Sequence, residues 1–582
     1  MGRIVLAGLA LALVGWGGEP EHPFAIRMGS GEKRISGYRE NGFTTVCSVD
    51  LNHLPLFDQS ARFSLKDQTA RQTALRTRRS LTVMAECVRE LGLDLCLTAD
   101  EIQFPAAIWE YLLSIIPDPD HPGRINLDDE RFWLFYRTKY REVLKLAPPE
   151  VRYVMVCAGG EGVSKHPLYR GHPLRVAAYD EAYFRRMARL INETRKLVVD
   201  EGNRTLIWRT WDLGSDGFHA NPEVYDKVFA EVTNRNGLVV SMKYVQTYFW
   251  MYTDPNPCIG RGGLRQMVEF QSGREFEGRG AFPNYLGLEY GPAIRSALAK
   301  GVEGIWVWGG QTGGPAGPAV KSELWRQLNS VTTMDLAAHP QKTPEAAATA
   351  WCEKVFGKQA ASAVSAILMK SHDCVTKVFY IEAYGLLHKG WMPNRNLVRD
   401  DLIRGDRQMG DEGGIHLIYN DIKEELGDAL IEKREAVEIA FSLRESFERQ
   451  RDAIIREKGQ KVYEEALTGF ICLEKIAKVM CHYIRGIFLY YTWLEVNEDE
   501  AAVAAFHELT LWKHAWEEYQ TVAPTLPAAP GLFRSLCTPD ETSSAGAMAD
   551  TCGRAMEELQ ERVKAYREKQ AAETAAEAKK GQ

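Results

Sequence analysis

Two carboxylates stand out for the residues around them. Glu161 follows the apolar run RYVMVC in the loop AGGEG, and Glu275 follows RQMVEFQ in the loop SGREFEG. Other apolar runs also end in groups with chemistry. Arg209 and Trp211 close RTLIWRTW, Lys243 lies in LVVSMKYV with Tyr248 just beyond, and Trp308 sits in EGIWVWGG. Asp100 ends LDLCLTAD, Glu269 lies inside the run that leads to Glu275, and Arg274 directly precedes Glu275. Two carboxyl groups facing one another across a pocket can cleave a glycosidic bond. One protonates the departing oxygen; the other attacks the anomeric carbon or activates a water. Plainer duties exist for each residue: a loop cap for Glu161, an ion pair with a neighbouring arginine for Glu275, satisfied interior charges for Arg209 and Lys243. Glu269, inside its run, reads as structural or as an acceptor for a substrate hydroxyl. Together Arg209 and Lys243 make a cationic patch that suits an acidic sugar such as a uronate.

For these groups to meet, the runs that carry them must be strands whose C-terminal ends lie together. Eight such runs occur: FAIRM (24–28), FTTVCSVD (43–50), LDLCLTAD (93–100), RYVMVCAGG (152–160), RTLIWRTW (204–211), LVVSMKYV (238–245), RQMVEFQ (265–271) and EGIWVWGG (303–310). Several are nearly continuous apolar stretches, as parallel strands covered on both faces are. Helical periodicity falls between them at 69–91, with a stripe of Leu81, Met84, Ala85, Val88 and Leu91, and at 130–147, 178–201, 221–235 and 290–300. The links after the first and sixth runs are short or odd. The fold class this predicts is α/β, a (β/α)8 TIM barrel over 21–340 with its chemistry at the C-terminal strand ends. A doubly wound sheet is the rival, but VWGGQTGGPAGP comes last and lacks the Lys-Ser/Thr of a phosphate loop.

Residues 341–570 read as a mostly α-helical C-terminal domain. Ile422, Leu426, Leu430, Val437 and Phe441 share a helical stripe, and 472–496 reads as a buried helix. The interruption at 386–414, with His388, Trp391 and Arg395, has the length to reach over the barrel mouth. The Ala/Glu/Lys-rich stretch 571–582 reads as a flexible tail.

Composition narrows the class. The 582 residues are 45% hydrophobic and 26% charged with a net charge of −7, which argues against nucleic acid as the main partner. The 14 Trp, 23 Tyr and 22 Phe suit a carbohydrate binder, whose sugar rings pack on aromatic faces, although large cores also use aromatics. Within residues 1–20, Arg3 precedes an apolar run from Ile4 to Trp16 that is too short to span a bilayer. It fits a signal peptide, with export to the periplasm or exterior; an ordinary buried first segment is the alternative. No other stretch has the length of an integral membrane segment. The 11 cysteines form no C-x-x-C and no zinc spacing, so no metal or cofactor is expected. Cys47, Cys96 and Cys157 read as buried small hydrophobes.

LIWRTW, VVSMKYVQTYF and VEFQSGREFEG, in this order and spacing, resemble the α-glucuronidases of glycoside hydrolase family 67, and LCLTADEIQFP and VMVCAGGEG resemble segments upstream in that family. The resemblance covers about residues 24–360. It implies an exo-acting α-glucuronidase-like enzyme on uronic-acid-bearing oligosaccharides or polysaccharide fragments. Glu161 then matches the general acid and Glu275 one of two base carboxylates, while Arg209 and Lys243 match residues that hold the substrate near the reacting sugar. Family analogy also suggests a homodimer through the helical domain. Three departures qualify the match. The family's second base falls on Tyr248, a family lysine falls on Cys157, and the family's N-terminal β-sandwich has no counterpart ahead of the barrel. The family inverts configuration, which is the expected course here. A pair on strands four and seven also serves retaining enzymes, and carboxyl separation discriminates, ~6.5–9.5 Å for inverting against ~5–5.5 Å for retaining. The departures leave open a glycosidase of different sugar specificity, or a non-catalytic carbohydrate-binding barrel.

Overall fold

The structure, a computed structural model, describes residues 23–30, 37–57, 68–102, 104, 106–158, 167–168, 179–211, 217–246, 249, 251–274, 277–309, 323–387, 414–522 and 544–580. All eight sequence runs become strands: β1 (Ile26–Ser30), β2 (Thr45–Asp50), β3 (Asp94–Asp100), β4 (Val151–Cys157), β5 (Thr205–Arg209), β6 (Leu238–Lys243), β7 (Gln266–Gln271) and β8 (Gly304–Trp308). They close in chain order into a parallel barrel, with β8 pairing back onto β1.

Side-chain alternation explains why these strands read as apolar throughout. Val154, Val156, Leu206, Trp208, Val240, Met242, Val268 and Phe270 face outward into the cluster shared with the surrounding helices. Their neighbours Met155, Ile207, Val239 and Met267 join Ile26, Met28, Cys47, Cys96 and Trp306 in a separate cluster that plugs the interior. Gly304 belongs to this plug because nothing larger fits: a Cβ there would lie 2.9 Å from Met267 Cβ and 3.0 Å from Ile26 Cβ. Cys47, Cys96 and Cys157 are all buried free thiols.

The helices around the barrel are α1 (Gln68–Leu91), α2 (Ala106–Ile115), α3 (Glu130–Leu146), α4 (Glu181–Arg195), α5 (Pro222–Ala230), α6 (Gly287–Ala299) and α7 (Leu324–Ala338). α2 is an addition to the sequence reading. Local signals set several starts. Asp180 caps α4 by accepting from Tyr183 N, and Asn221 caps α5 ahead of Pro222 at its first position. Among the described residues, the link from β1 to β2 carries only the short 3-10 turn Arg39–Asn41, and the link from β6 to β7 has no α-helix. These are the two links whose sequence looked irregular.

After α7 the chain passes through α8 (Pro344–Phe356), α9 (Lys358–Leu368) and α10 (Ser371–Phe379) into long helices at Leu426–Glu448, Gln460–Val496, Asp499–Val522 and Ser544–Lys580. These share a core of their own, to which Trp325 and Leu328 of α7 contribute. The last helix continues through 571–580, where a fraying tail was expected. The apolar stripe expected in 421–456 packs on this core at Ile422, which is buried, and at Leu426, Leu430 and Val437, which are partly buried against it; Phe441 alone departs. Leu426–Glu448 buries Ala429, Lys433, Ala436, Ala440, Leu443 and Phe447, while Phe441 is 42% exposed. Alanines permit close helix approach, and Leu443 and Phe447 fill the same face with bulk. Residues 1–20 and the 388–413 portion of the expected loop lie outside the described residues.

Lys433 is the exception on that face. Fully buried, its Nζ donates to the Tyr380 carbonyl and, at 2.5 Å, to the Lys377 carbonyl, and it pairs with Glu432 Oε1 at 2.9 Å. It thereby satisfies carbonyls at the C-terminal end of α10. Lys433→Met is expected to cost ~1–3 kcal/mol for each carbonyl left unpaired, read as a lowered denaturant midpoint. An unchanged midpoint would mean these bonds contribute nothing net.

Candidate active site

The strand ends bring six of the expected residues into the described structure: Asp100, Arg209, Trp211, Lys243, Glu269 and Trp308. In-register pairing sets their heights. Asp100 pairs with Cys157, Cys157 with Arg209, and Lys243 with Glu269, which in turn pairs with Trp306; Trp308 pairs with Ser30. Trp306 belongs to the apolar plug itself, and the others form a layer of mouth-side strand ends above it.

The centre of the layer is an ion pair between the buried Glu269 and a partly buried Arg209. Arg209 Nε donates to Glu269 Oε2 at 2.7 Å and its Nη2 to Oε1 at 2.9 Å. Glu269 has no exposed surface, and the guanidinium lies 5.2 Å from the Trp306 ring centroid. Burial alone would lower the Arg209 pKa, but Glu269 and its neighbours outweigh that and raise it. Cys157 Sγ donates to Asp100 Oδ1 at 2.9 Å, and burial, with Asp100 beside it, pushes the thiol well up. Cys157 is therefore a protonated donor and no nucleophile.

Lys243 is 3% exposed, with Nζ 3.2 Å from the Trp211 ring centroid and 5.8 Å from that of Phe249. Trp211 meets His219 edge-on at 5.3 Å. Burial first, and Lys243 second, bring the His219 pKa down to about 3, so this ring is neutral. His219 bonds Thr210 Oγ1 through Nδ1 and the Val245 carbonyl through Nε2. It is a strut for the Trp211–Lys243 stack.

Asp50, at the end of β2, joins this wall although the sequence reading does not include it; the strand-end rule reaches it. Its carboxylate accepts from Asn52 N at 2.9 Å and remains half-exposed. Burial raises its pKa, against the Asn52 amide, His53 and Lys139, and nearby Asp100 adds to the rise. Glu101, the next residue after Asp100, instead turns into the core, where Lys139 and Tyr140 hold it.

The expected cationic patch is thus modified. Among the described residues, Asp50, Asp100 and Glu269 stand against Arg209 and Lys243, and the Arg209 charge is already matched by Glu269. Arg274 does not join this layer. It is fully buried, bonded to Glu277 Oε1 at 3.1 Å and ion-paired with Glu289. Its chemistry is structural, because a guanidinium held between two carboxylates has its fork already taken. Glu161, Tyr248 and Glu275 lie outside the described residues. Among the described residues no group of three or more His, Cys, Asp or Glu could hold a metal ion, and no helix is long and apolar enough to cross a membrane.

No family model and no curated protein matches the sequence. Solved structures match in fold. The chain is similar to a family GH138 enzyme targeting pectin rhamnogalacturonan II, with TM-score 0.59 and 9% identity over 94% of this chain and 85% of that one. It is also similar to a family 89 glycoside hydrolase from Clostridium perfringens in complex with PUGNAc, with TM-score 0.51 and 11% identity over 92% of this chain and 59% of that one. At these identities the likeness establishes the architecture, a (β/α)8 barrel joined to a mostly helical C-terminal region.

The Arg274 cluster yields a pH test. Burial would raise the Glu289 carboxyl, but Arg274 and then His372 outweigh it and hold it down at about 2. A carboxyl whose folded pKa lies below its ordinary value of ~4.3 stabilises the fold above ~4.3 and loses that contribution as pH falls toward 2. Glu289→Gln should therefore unfold more readily than the parent at neutral pH, with the gap narrowing between about pH 5 and pH 2. Thermal unfolding across that window checks it; an equal gap at both ends would contradict the assignment.

Proposed function

We propose that this chain is a glycoside hydrolase of two-carboxylate mechanism, with Glu161 as general acid and Glu275 as the base. The observation that carries the reading is the mouth of the closed barrel. There an apolar plug that includes Trp306 ends in Asp50, Asp100 and the Arg209–Glu269 pair, with Trp211 and Trp308 alongside. Carboxylates beside aromatic faces are what a sugar ring requires, with hydroxyls donating to the former and C–H faces packing on the latter. Glu161 and Glu275 follow β4 and β7, the strand ends from which two carboxyls can approach one bond from opposite sides. The fold shared with the two glycoside hydrolase structures agrees with this reading.

Within that class the reading is α-glucuronidase-like and exo-acting, on uronic-acid-bearing oligosaccharides. Its support is the sequence resemblance together with Lys243 held at the mouth over Trp211. Export through residues 1–20 and dimerisation through the helical region belong to the same proposal. A second reading, a glycosidase for a neutral sugar, draws on a specific observation: Glu269 already neutralises Arg209, while Asp50 and Asp100 present further carboxylates.

The test is chromatography of products from a panel of glucuronic-acid-substituted and neutral oligosaccharides, run beside Glu161→Gln and Glu275→Gln. Uronic acid released by the parent alone supports the first reading; neutral sugar released instead supports the second. Each variant should lose ~10²-fold or more in turnover while folding normally. Activity within about tenfold of the parent removes that residue from the mechanism.

A further inference from the structure

We propose that the helical region positions the site: His372 of α10 and Tyr380 just after it hold the chain on both sides of Glu275. They act through a buried network of Asn284, Glu277, Arg274 and Glu289. This rests on the glycosidase reading, in which Glu275 is the base.

The segment leaving β7 is tied to the barrel first. Ser272 N donates to the Trp308 carbonyl at 2.9 Å, and Tyr290 OH, on α6, donates to the Gln271 carbonyl at 2.8 Å. Beyond Arg274, however, the partners come from elsewhere. Glu277 is fully buried and receives three donors: Arg274 Nη1 at 3.1 Å, Asn284 Nδ2 at 2.7 Å, and Tyr380 OH at 2.9 Å. The tyrosine stands 103 residues away in the chain. Arg274 also pairs with Glu289, whose Oε2 lies 3.6 Å from His372 Nε2. Chemistry fixes the orientation of the remaining members. A carboxylate only accepts, so Asn284 must turn its amide nitrogen to Glu277 and its Oδ1 to His372. His372 Nδ1, 2.7 Å from that oxygen, must then carry its proton.

Merely attaching the helical region to the barrel does not require this arrangement. Buried charges cost desolvation, and an apolar contact of equal volume would hold the two together at least as well. The network instead supplies a single allowed geometry for Arg274 and Glu277, the residues next to the 275–276 pair. His372 and Tyr380 are positioning residues, since neither belongs to the layer of Asp100, Arg209 and Glu269 that forms the mouth.

The test uses the full chain with Tyr380→Phe, which deletes one hydroxyl and keeps the ring, and His372→Gln as a second variant. Three quantities are measured: kcat and KM on the best substrate of the panel, the unfolding midpoint, and hydrogen exchange of peptides spanning 271–286 and 238–245. The expected result is a kcat per folded molecule lower by on the order of 10²-fold with KM little changed, a midpoint lowered by no more than a lost buried hydrogen bond costs, and faster exchange confined to 271–286. Unchanged kcat and unchanged exchange overturn the proposal. So does a lowered midpoint with kcat per folded molecule intact, which makes the network structural only. Should the parent cleave nothing on the panel, the glycosidase reading fails by itself. Exchange then still decides whether His372 and Tyr380 fix this segment, and unchanged exchange overturns that as well.

Discussion

A carboxylate removed from water has to be neutralised where it lies, and the barrel mouth is arranged around that constraint at Glu269. Arg209 and Glu269 project from strands on either side of β6 and meet with two hydrogen bonds above the apolar plug. Their union sets the conditions for the groups around them. Lys243, on the strand between them, lies over the Trp211 ring. His219 behind that ring is kept neutral by burial and by Lys243, so it supports the stack without adding charge. On the other side Cys157 stays protonated and donates to Asp100, leaving that carboxylate at the rim with Asp50. Among the described residues, charge is therefore divided across the mouth, acidic toward β2 and β3 and mixed toward β5 to β7.

The same constraint recurs at the joint between barrel and helical region. Arg274 is as deeply buried as Glu269, and its two carboxylate partners come from the β7 exit and from α6. The remaining donors come from α10 and the residue that follows it. Asn329 of α7 binds the same segment from another side, donating to the carbonyls of Ser272 and Asn284. A region with a core of its own thus contributes polar groups to a loop at the C-terminal face of the barrel, and the two parts share one polar network. Lys433 extends this logic inward, since it satisfies the carbonyl of Tyr380, whose hydroxyl reaches Glu277.

Strand content was legible because a parallel barrel makes both faces of each strand apolar, and all eight runs paired as read. The two irregular links were legible for the converse reason: they lack a periodic stretch. The helix stripe in 421–456 was read from bulky residues, and Ile422, Leu426, Leu430 and Val437 do pack on the core, but alanines and a lysine share the most deeply buried face while Phe441 is exposed. Periodicity alone does not distinguish a face that packs closely from one that is greasy at its edge. The site was legible as a set of strand ends and opaque as a set of partners. That Arg209 meets Glu269 depends on closure bringing together residues sixty apart in sequence. That Arg274 turns away from the mouth depends on Glu289 and on groups beyond residue 370, which no local motif indicates.

Partner identity bears directly on what sugar this mouth would accept. An arginine recognises a carboxylate best through a two-pronged contact, and the prongs formed by Nε and Nη2 of Arg209 are already on Glu269. A uronate at this mouth would thus have to draw on the Lys243 side, where an ammonium over an indole ring offers a compact charge beside an aromatic face. Its hydroxyls would then fall toward Asp50 and Asp100, which as carboxylates accept hydroxyl protons and repel a second anion. Among the described residues, that division of charge would favour an acidic sugar with its acid group toward β6 and its hydroxyl edge toward β2 and β3. A neutral sugar would meet no such preference from these groups, because they would read only its hydroxyl edge.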